Sequence, residues 1–139
     1  MVETKEINIA GQKYKIKSSA LTWTYYQNKF PNNNWHEDLS KVMKYTFQMK
    51  NALEEVKKEN PKLDDNKAFE EVTIKCIESF GSLVQTLLQM TWAMIYTADQ
   101  ECKDYENFLD SIPEIKYSDE WISEVINLLG ITFRWSWSI

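Results

Sequence analysis

The segment from Phe69 to Thr97 reads FEEVTIKCIESFGSLVQTLLQMTWAMIYT, and it decides which kind of fold this chain can adopt. Its apolar residues recur in steps of three and four, which predicts one long helix with a broad apolar face. From Ser79 to Ala98 the sequence contains no charged residue. That is roughly the length of a membrane-spanning helix, so the segment must be buried in either protein or lipid.

Polar side chains within this segment favour burial in protein. Gln85 and Gln89 lie one turn apart on the same side, with Ser82 and Thr86 beside them. Lipid would leave the two amides without hydrogen-bond partners, whereas a folded protein can supply them. We therefore predict a central core helix, and we keep a membrane span over the uncharged part as an alternative.

The composition predicts a mainly α, single-domain protein covering residues 1–139. Of the 139 residues, 43% are hydrophobic and 14% are aromatic, which is enough for one core. Three glycines and three prolines are too few for an architecture of strands and turns.

Cys76 and Cys102 have no metal or redox spacing, so two reduced thiols are the simplest interpretation, and a disulfide bridge between them stays open. The N-terminus lacks the apolar run of a signal peptide, which predicts a cytoplasmic protein.

Residues 5–17 predict a β-hairpin, because apolar and polar residues alternate on both sides of Gly11. With Gly11 and Gln12 as the loop of a type II′ turn, the two strands have a defined register. That register pairs Ile9 with Tyr14 and Ile7 with Ile16. All four side chains then share one face, which must lie on helices or be extended by another strand.

A helical body is predicted from residue 19 to residue 130, with about five helices around the central one. Ser18 or Ser19 caps the first helix, which ends at Pro31. The second helix runs from about Trp35 to Glu59 and carries a regular apolar stripe. Its stripe consists of Leu39, Val42, Met43, Thr46, Met49, Leu53 and Val56.

Two further helices follow the central one. A short helical pattern begins at Tyr105 and stops at Pro113. The last helix begins after a cap at Ser118, carries an apolar face from Trp121 to Leu129, and ends at Gly130. Gly81 lies inside the central helix, where it either permits a close helix crossing or bends the helix slightly.

The aromatic C-terminal segment, residues 131–139, alternates strictly between apolar and polar residues, which predicts a strand. This strand either closes onto the N-terminal hairpin or binds another chain by strand addition. Tryptophan is the residue type most enriched in binding hot spots. The candidate partner-binding residues are Trp121, Phe133, Trp135 and Trp137.

The chemistry-bearing residues form no catalytic arrangement in the sequence. His36 is the single histidine; its neighbours Glu37 and Asp38 point away from it on a helix, and no second histidine or cysteine lies at ligand spacing. The glycines form no phosphate-binding loop, and no G-x-S-x-G motif occurs. We predict a protein without catalytic activity, cofactor or metal.

The charge balance disfavours nucleic acid as a partner. The formal net charge is −5 and the isoelectric point is near 5.0, so the surface would repel phosphates. Arg134 is the only arginine, which leaves almost no bidentate contacts to bases or phosphates. We predict a protein partner, and a homo-oligomer stays open.

Several segments together resemble the tail assembly chaperones of long-tailed, siphovirus-type bacteriophages. They are a hairpin of the form Ile-x-Ile-x-Gly-x-x-Tyr-x-Ile at residues 7–16, Ser-Ala-Leu-Thr at 19–22, LLQMTWAMIYTA at 87–98, YENFL at 105–109, and the last helix at 121–129. The resemblance covers nearly the whole chain in the order of its elements.

This resemblance implies a non-enzymatic protein of the host bacterial cytoplasm. It would bind the tape measure protein, keep it soluble, help to recruit tail tube subunits, and be absent from the finished virion. It also implies that ribosomal frameshifting can produce a longer form. Two alternatives remain: a structural tail or head-tail adaptor protein, and a membrane-associated helical protein.

Overall fold

The computed structural model describes residues 4–115 and 119–132 of the chain. The fold is mainly α, as predicted: a two-stranded antiparallel hairpin precedes a set of helices arranged around one long central helix. The elements are β1 (Thr4–Ile9), β2 (Gln12–Lys17), α1 (Ala20–Lys29), α2 (Trp35–Glu59), α3 (Asp65–Lys75), α4 (Ile77–Ala98), α5 (Tyr105–Asp110) and α6 (Glu120–Thr132).

The first two helices each begin directly after a capping residue, and Ser19 is one of the two caps predicted for α1. Ser19 is the N-cap of α1, and its backbone N–H donates to the hydroxyl of Thr22 at 3.1 Å. Asn34 is the N-cap of α2, and its side-chain oxygen accepts from the N–H of Glu37 at 3.0 Å. The predicted limits of α2 are confirmed. Its predicted stripe is buried, apart from Met43, which is half-buried.

The hairpin forms, but its predicted turn and register are wrong. The loop residues are Ala10 (φ 53°) and Gly11 (φ 82°), and positive φ at both positions is typical of a type I′ turn. Asn8 supports this turn, since its side-chain oxygen accepts from the N–H of Gly11 at 3.0 Å. The observed register pairs Ile9 with Gln12, Ile7 with Tyr14 and Lys5 with Ile16.

The predicted apolar face of the hairpin survives this correction, because the register shifts by two residues and side chains alternate with a period of two. Ile7, Ile9 and Ile16 are buried, and Tyr14 is half-buried. The hairpin packs on α4 through β2 and on α6 through β1. The face therefore lies on helices, as one of the two predicted arrangements requires.

The central helix is shorter than predicted, because the chain turns at Cys76. That residue has φ −116° and ψ 38°, outside helical values, and it separates α3 from α4. An unbroken helix over both segments would be about 50 Å long, whereas α2 is about 37 Å long at 1.5 Å per residue. The turn lets both α3 and α4 pack on α2.

The predicted burial of α4 in protein is what the structure shows. Its apolar face lies in a core shared with α1, α2 and the hairpin. The fully buried residues of this face include Leu83, Leu87, Met90, Ala93 and Met94. Over the two described ranges, no helix combines the length and the apolar character needed to cross a membrane.

The last helix runs further than predicted. It continues through Gly130 to Thr132, so the predicted end at Gly130 and the predicted strand at Ile131 and Thr132 are wrong. A glycine inside a helix costs only about 1 kcal/mol relative to alanine, which the hydrogen bonds of a continuing helix offset. Residues 133–139, the rest of the predicted strand, and the predicted cap Ser118 lie outside the described residues.

Candidate functional site

A polar groove lies between α2 and α4. Its volume is about 310 Å³. We call it the α2–α4 groove. Polar side chains from α2, from α4 and from the loop before α2 form its walls. They are Asn32, Asn33, Asn34, Glu37, Asp38, Lys41, Tyr45, Ser82, Gln85, Thr86 and Gln89.

Helices α2 and α4 pack antiparallel, so the polar residues of one helix lie opposite those of the other along the groove. At one end the hydroxyl of Ser79 donates to Gln48 at 3.1 Å, and at the other the amide nitrogen of Asn33 donates to Gln89 at 2.8 Å. Polar residues recur in steps of three and four on both helices, so each set occupies one side. The polar sides of α2 and α4 therefore face the same groove, and their apolar sides meet in the core.

Asp38 is a buried carboxylate at the inner wall of this groove. Its residue exposure is 5%, which is rare for an aspartate without a partner. The hydroxyl of Tyr26 donates to its Oδ2 atom at 2.5 Å. The ammonium of Lys41 lies 3.9 Å from its Oδ1 atom, which is an ion pair without a hydrogen bond.

Burial keeps the Tyr26 hydroxyl in its protonated, donating form. It raises the pKa of Tyr26 well above its ordinary value, and the hydrogen bond to Asp38 raises it further, against a smaller lowering effect of Asn33. A phenolate here would face a carboxylate across a short distance. The neutral hydroxyl therefore remains the fixed partner of Oδ2.

Hydrogen bonds hold the loop at the end of the groove in place. The side-chain amide of Gln27 donates to the carbonyl of Asn33 at 2.8 Å and accepts from the N–H of Trp35 at 2.8 Å. Asn33 in turn donates to Gln89. The three helices α1, α2 and α4 thus share one polar network, and the loop between α1 and α2 has a defined position.

The groove also presents polar groups that the protein does not use. Within the described ranges, the side chains of Ser82, Gln85 and Thr86 make no hydrogen bond, and Asp38 Oδ1 accepts none. Amides and hydroxyls can both donate and accept, whereas a carboxylate oxygen only accepts. The groove can therefore bind a polar ligand that carries several hydrogen-bond donors.

The predicted partner-binding residues do not form this groove. Trp121 is 3% exposed and packs in the core, and its role in partner binding stays a prediction. Phe133, Trp135 and Trp137 lie outside the described residues, and their role in partner binding stays a prediction.

The other chemistry-bearing residues have ordinary surroundings. His36 lies in the first turn of α2 as expected, with its ring 4.8 Å from that of Trp23. Cys76 and Cys102 are free thiols. Burial and nearby Asp99 raise the pKa of Cys102, which disfavours its reactive thiolate form. In the part of the chain that the structure describes, no three histidine, cysteine, aspartate or glutamate residues are placed to hold a metal ion.

Sequence reasoning found one wall of the groove and missed the other. The sequence singled out Gln85 and Gln89, with Ser82 and Thr86 beside them, as polar groups that need protein partners. Gln89 has such a partner in Asn33, whereas Gln85 is exposed and makes no hydrogen bond within the described ranges, so the expectation is wrong for Gln85. The sequence analysis did not predict that Asp38 is buried. Asp38 lies three residues after the buried Trp35 and four residues before the buried Val42. That spacing on the apolar stripe was the available signal.

A second surface feature lies at the turn between α3 and α4. Ile74 and Ile77 flank Cys76 and are 75% and 60% exposed. Single exposed aliphatic residues are common, but two within four positions are an apolar spot that a partner could cover.

Comparisons with protein-family models, with curated proteins and with solved structures gave no match.

Proposed function

We propose that this chain is a non-enzymatic assembly chaperone of a bacteriophage tail, acting in the host cytoplasm. In this proposal it binds the tape measure protein, keeps it soluble and assists the recruitment of tail tube subunits. The observation that carries the proposal is the α2–α4 groove, whose walls present amide and hydroxyl groups. The resemblance of the sequence to tail assembly chaperones supports the same function.

The chemistry of the groove suits a polypeptide. Side-chain amides carry an N–H donor and a C=O acceptor, as peptide bonds do. The backbone N–H and C=O groups of a partner chain can therefore form hydrogen bonds with the amides of the groove. Tyr45 on α2 lies eleven positions after the N-cap Asn34, about 16 Å at 1.5 Å per residue. An extended segment of about five residues covers that length.

The exposed aliphatic side chains of Ile74 and Ile77 complement the groove. A tape measure segment is expected to carry apolar residues that aggregate when they are exposed to water. Polar contacts in the groove orient such a segment, and apolar contacts shield part of its surface. This division of roles requires binding but no bond-making chemistry.

Co-expression with the tape measure protein of the same phage tests the proposal. We expect the tape measure protein to accumulate in the soluble fraction and to co-purify with this chain, and to be insoluble when expressed alone. Purified virions provide the counter-test. Detection of this chain in virions at a fixed copy number would replace the chaperone function with that of a structural tail or adaptor protein.

The aromatic C-terminal segment makes a separate contribution in this proposal. We predict that Trp135→Ala combined with Trp137→Ala leaves the helical circular dichroism signal intact and reduces capture of the tape measure protein. Leu21→Ala, at a residue that is 56% exposed on α1, serves as the matched control and retains full capture. Loss of the folded state in the double variant would assign the two tryptophans to the core instead.

A further inference from the structure

We propose that the α2–α4 groove binds a basic side chain, the guanidinium of an arginine or the ammonium of a lysine, presented by the polypeptide partner. This inference rests on the proposed function, because it takes the ligand to be part of a protein. It names Asp38 as the residue that receives the cation.

The first argument is the unequal use of the two oxygens of Asp38. Oδ2 accepts a hydrogen bond from the Tyr26 hydroxyl, whereas Oδ1 accepts none from the described residues. The Lys41 nitrogen is 3.9 Å from Oδ1, beyond hydrogen-bond distance. The Asp38 side chain is only 7% exposed, and a carboxylate with so little contact with water favours a donor at each oxygen. Since Asp38 lines the groove, a ligand there can supply the missing donor.

The second argument is the charge of the groove. Glu37 and Asp38 contribute two negative charges to its walls, and Lys41 contributes one positive charge. The Lys41 side chain is 58% exposed and flexible, so it can move away when a better-placed cation arrives. An anionic ligand would instead face the buried carboxylate directly, which disfavours it.

The third argument is the fit between donors and acceptors. A guanidinium has five N–H donors and no acceptor. Besides Asp38 Oδ1, the groove offers the oxygen atoms of Ser82, Gln85 and Thr86, which have no hydrogen bond within the described chain. The volume of about 310 Å³ accommodates a long side chain together with the backbone that carries it.

Titration with two matched small probes tests the cation directly. The probes are N-acetyl-arginine-methylamide and its neutral citrulline counterpart, which has nearly the same shape. We expect the arginine probe to shift the side-chain amide resonances of Asn33 and Gln89 in NMR spectra of the full chain, and N-acetyl-lysine-methylamide to shift them less. Equal binding of the arginine and citrulline probes would overturn the inference.

Three variants separate recognition of a cation from a general effect on the fold. Asp38→Asn should weaken binding of the arginine probe at least tenfold. Because this change also affects the hydrogen bond from Tyr26, two changes at exposed residues complement it.

Lys41→Met removes the competing ammonium and should tighten binding of the arginine probe about twofold to fivefold, the range of a surface ion pair. Weaker binding by Lys41→Met would contradict a cation site.

The third variant, Gln85→Arg, supplies a guanidinium from the wall of the groove and should block the probe. In co-expression it should also reduce capture of the tape measure protein several-fold. Unchanged capture by this variant, with the arginine probe still bound by the natural chain, would overturn the role of the groove in partner recognition and leave the chaperone function standing. Failure of the natural chain to capture the tape measure protein would overturn the proposed function, while the probe titration still decides whether the cation site exists.

Discussion

Two tyrosines, the buried Tyr26 and the half-buried Tyr105, couple the stability of this protein to alkaline pH. Burial raises the pKa of Tyr105 to about 12, and it raises that of Tyr26 as well. An unfolded chain releases tyrosine protons near pH 10, while the folded chain still holds these two. The stabilising contribution is therefore complete below about pH 10 and is lost as the pH rises through the folded-state values.

Tyr105→Phe isolates one of these contributions. The Tyr105 ring packs edge-on against Phe30, with centroids 4.9 Å apart, and phenylalanine can keep this contact. We expect a free energy of unfolding close to that of the natural chain at about pH 8, and a shallower decline between about pH 10 and pH 12. Urea unfolding followed by circular dichroism measures both. Parallel declines in the two proteins would show that Tyr105 does not cause the pH dependence.

Gly81 affects the stability of α4 through its lack of a side chain. The sequence predicted that Gly81 either permits a close crossing by another helix or bends its own helix. The structure excludes the close crossing, because a Cβ atom added at Gly81 meets no atom within 4 Å. Gly81 therefore weakens α4 without a packing benefit. Gly81→Ala should raise the free energy of unfolding by about 0.5–1 kcal/mol, measured by urea denaturation. A loss of stability would mean that the helix needs glycine for another reason.

At the level of elements, the hairpin turn determines the register of the two strands. Ala10 adopts φ 53°, a left-handed conformation that alanine tolerates poorly, whereas Gly11 at φ 82° is well suited to its position. Type I′ turns favour Asn-Gly. The local alternation correctly predicted the strands and their shared face, but it could not decide between turns that keep the same residues on that face.

Ala10→Asn tests this interpretation of the turn. Asparagine tolerates the left-handed conformation, so the variant should gain about 1 kcal/mol of unfolding free energy. The midpoint of urea denaturation should rise at an unchanged slope. Gly11→Ala is the opposite control and should lose stability, since alanine at that φ is strained. Equal effects of the two changes would contradict the type I′ assignment.

For the molecule as a whole, the antiparallel contact of α2 and α4 builds both the core and the groove. Leu87 lies on the core side of α4 and is fully buried, whereas Gln85 lies on the exposed side. One helix therefore serves stability through one face and offers binding groups on the other. Substitutions on the two faces should separate stability from binding.

Leu87→Ala and Ile74→Ala compare the core with the surface. Leu87→Ala leaves a cavity and should cost about 2–5 kcal/mol of unfolding free energy. Ile74→Ala removes a side chain at a residue that is 75% exposed and should change stability by less than about 0.5 kcal/mol. Thermal or urea unfolding of both variants provides the comparison. A large loss in Ile74→Ala would place that side chain in a buried contact.

The sequence by itself determined the elements whose pattern is local. Periods of 3.6 and two residues, together with capping residues, were enough for α2, for the start of α1 and for the apolar face of the hairpin. They also indicated that amides of α4 need protein partners, which holds for Gln89 but not for the exposed Gln85. Each of these features depends on neighbours within about one or two turns of the chain, so it can be recognised without knowing the rest of the fold.

The tertiary structure alone decided the features that depend on residues far apart in the chain. The turn at Cys76 depends on packing two segments against the length of α2. The burial of Asp38 depends on Tyr26 from another helix, and the groove depends on the side of α4 that α2 meets. A one-dimensional pattern specifies which residues share a face, but the contacts across faces decide where a helix stops and which polar groups become a site.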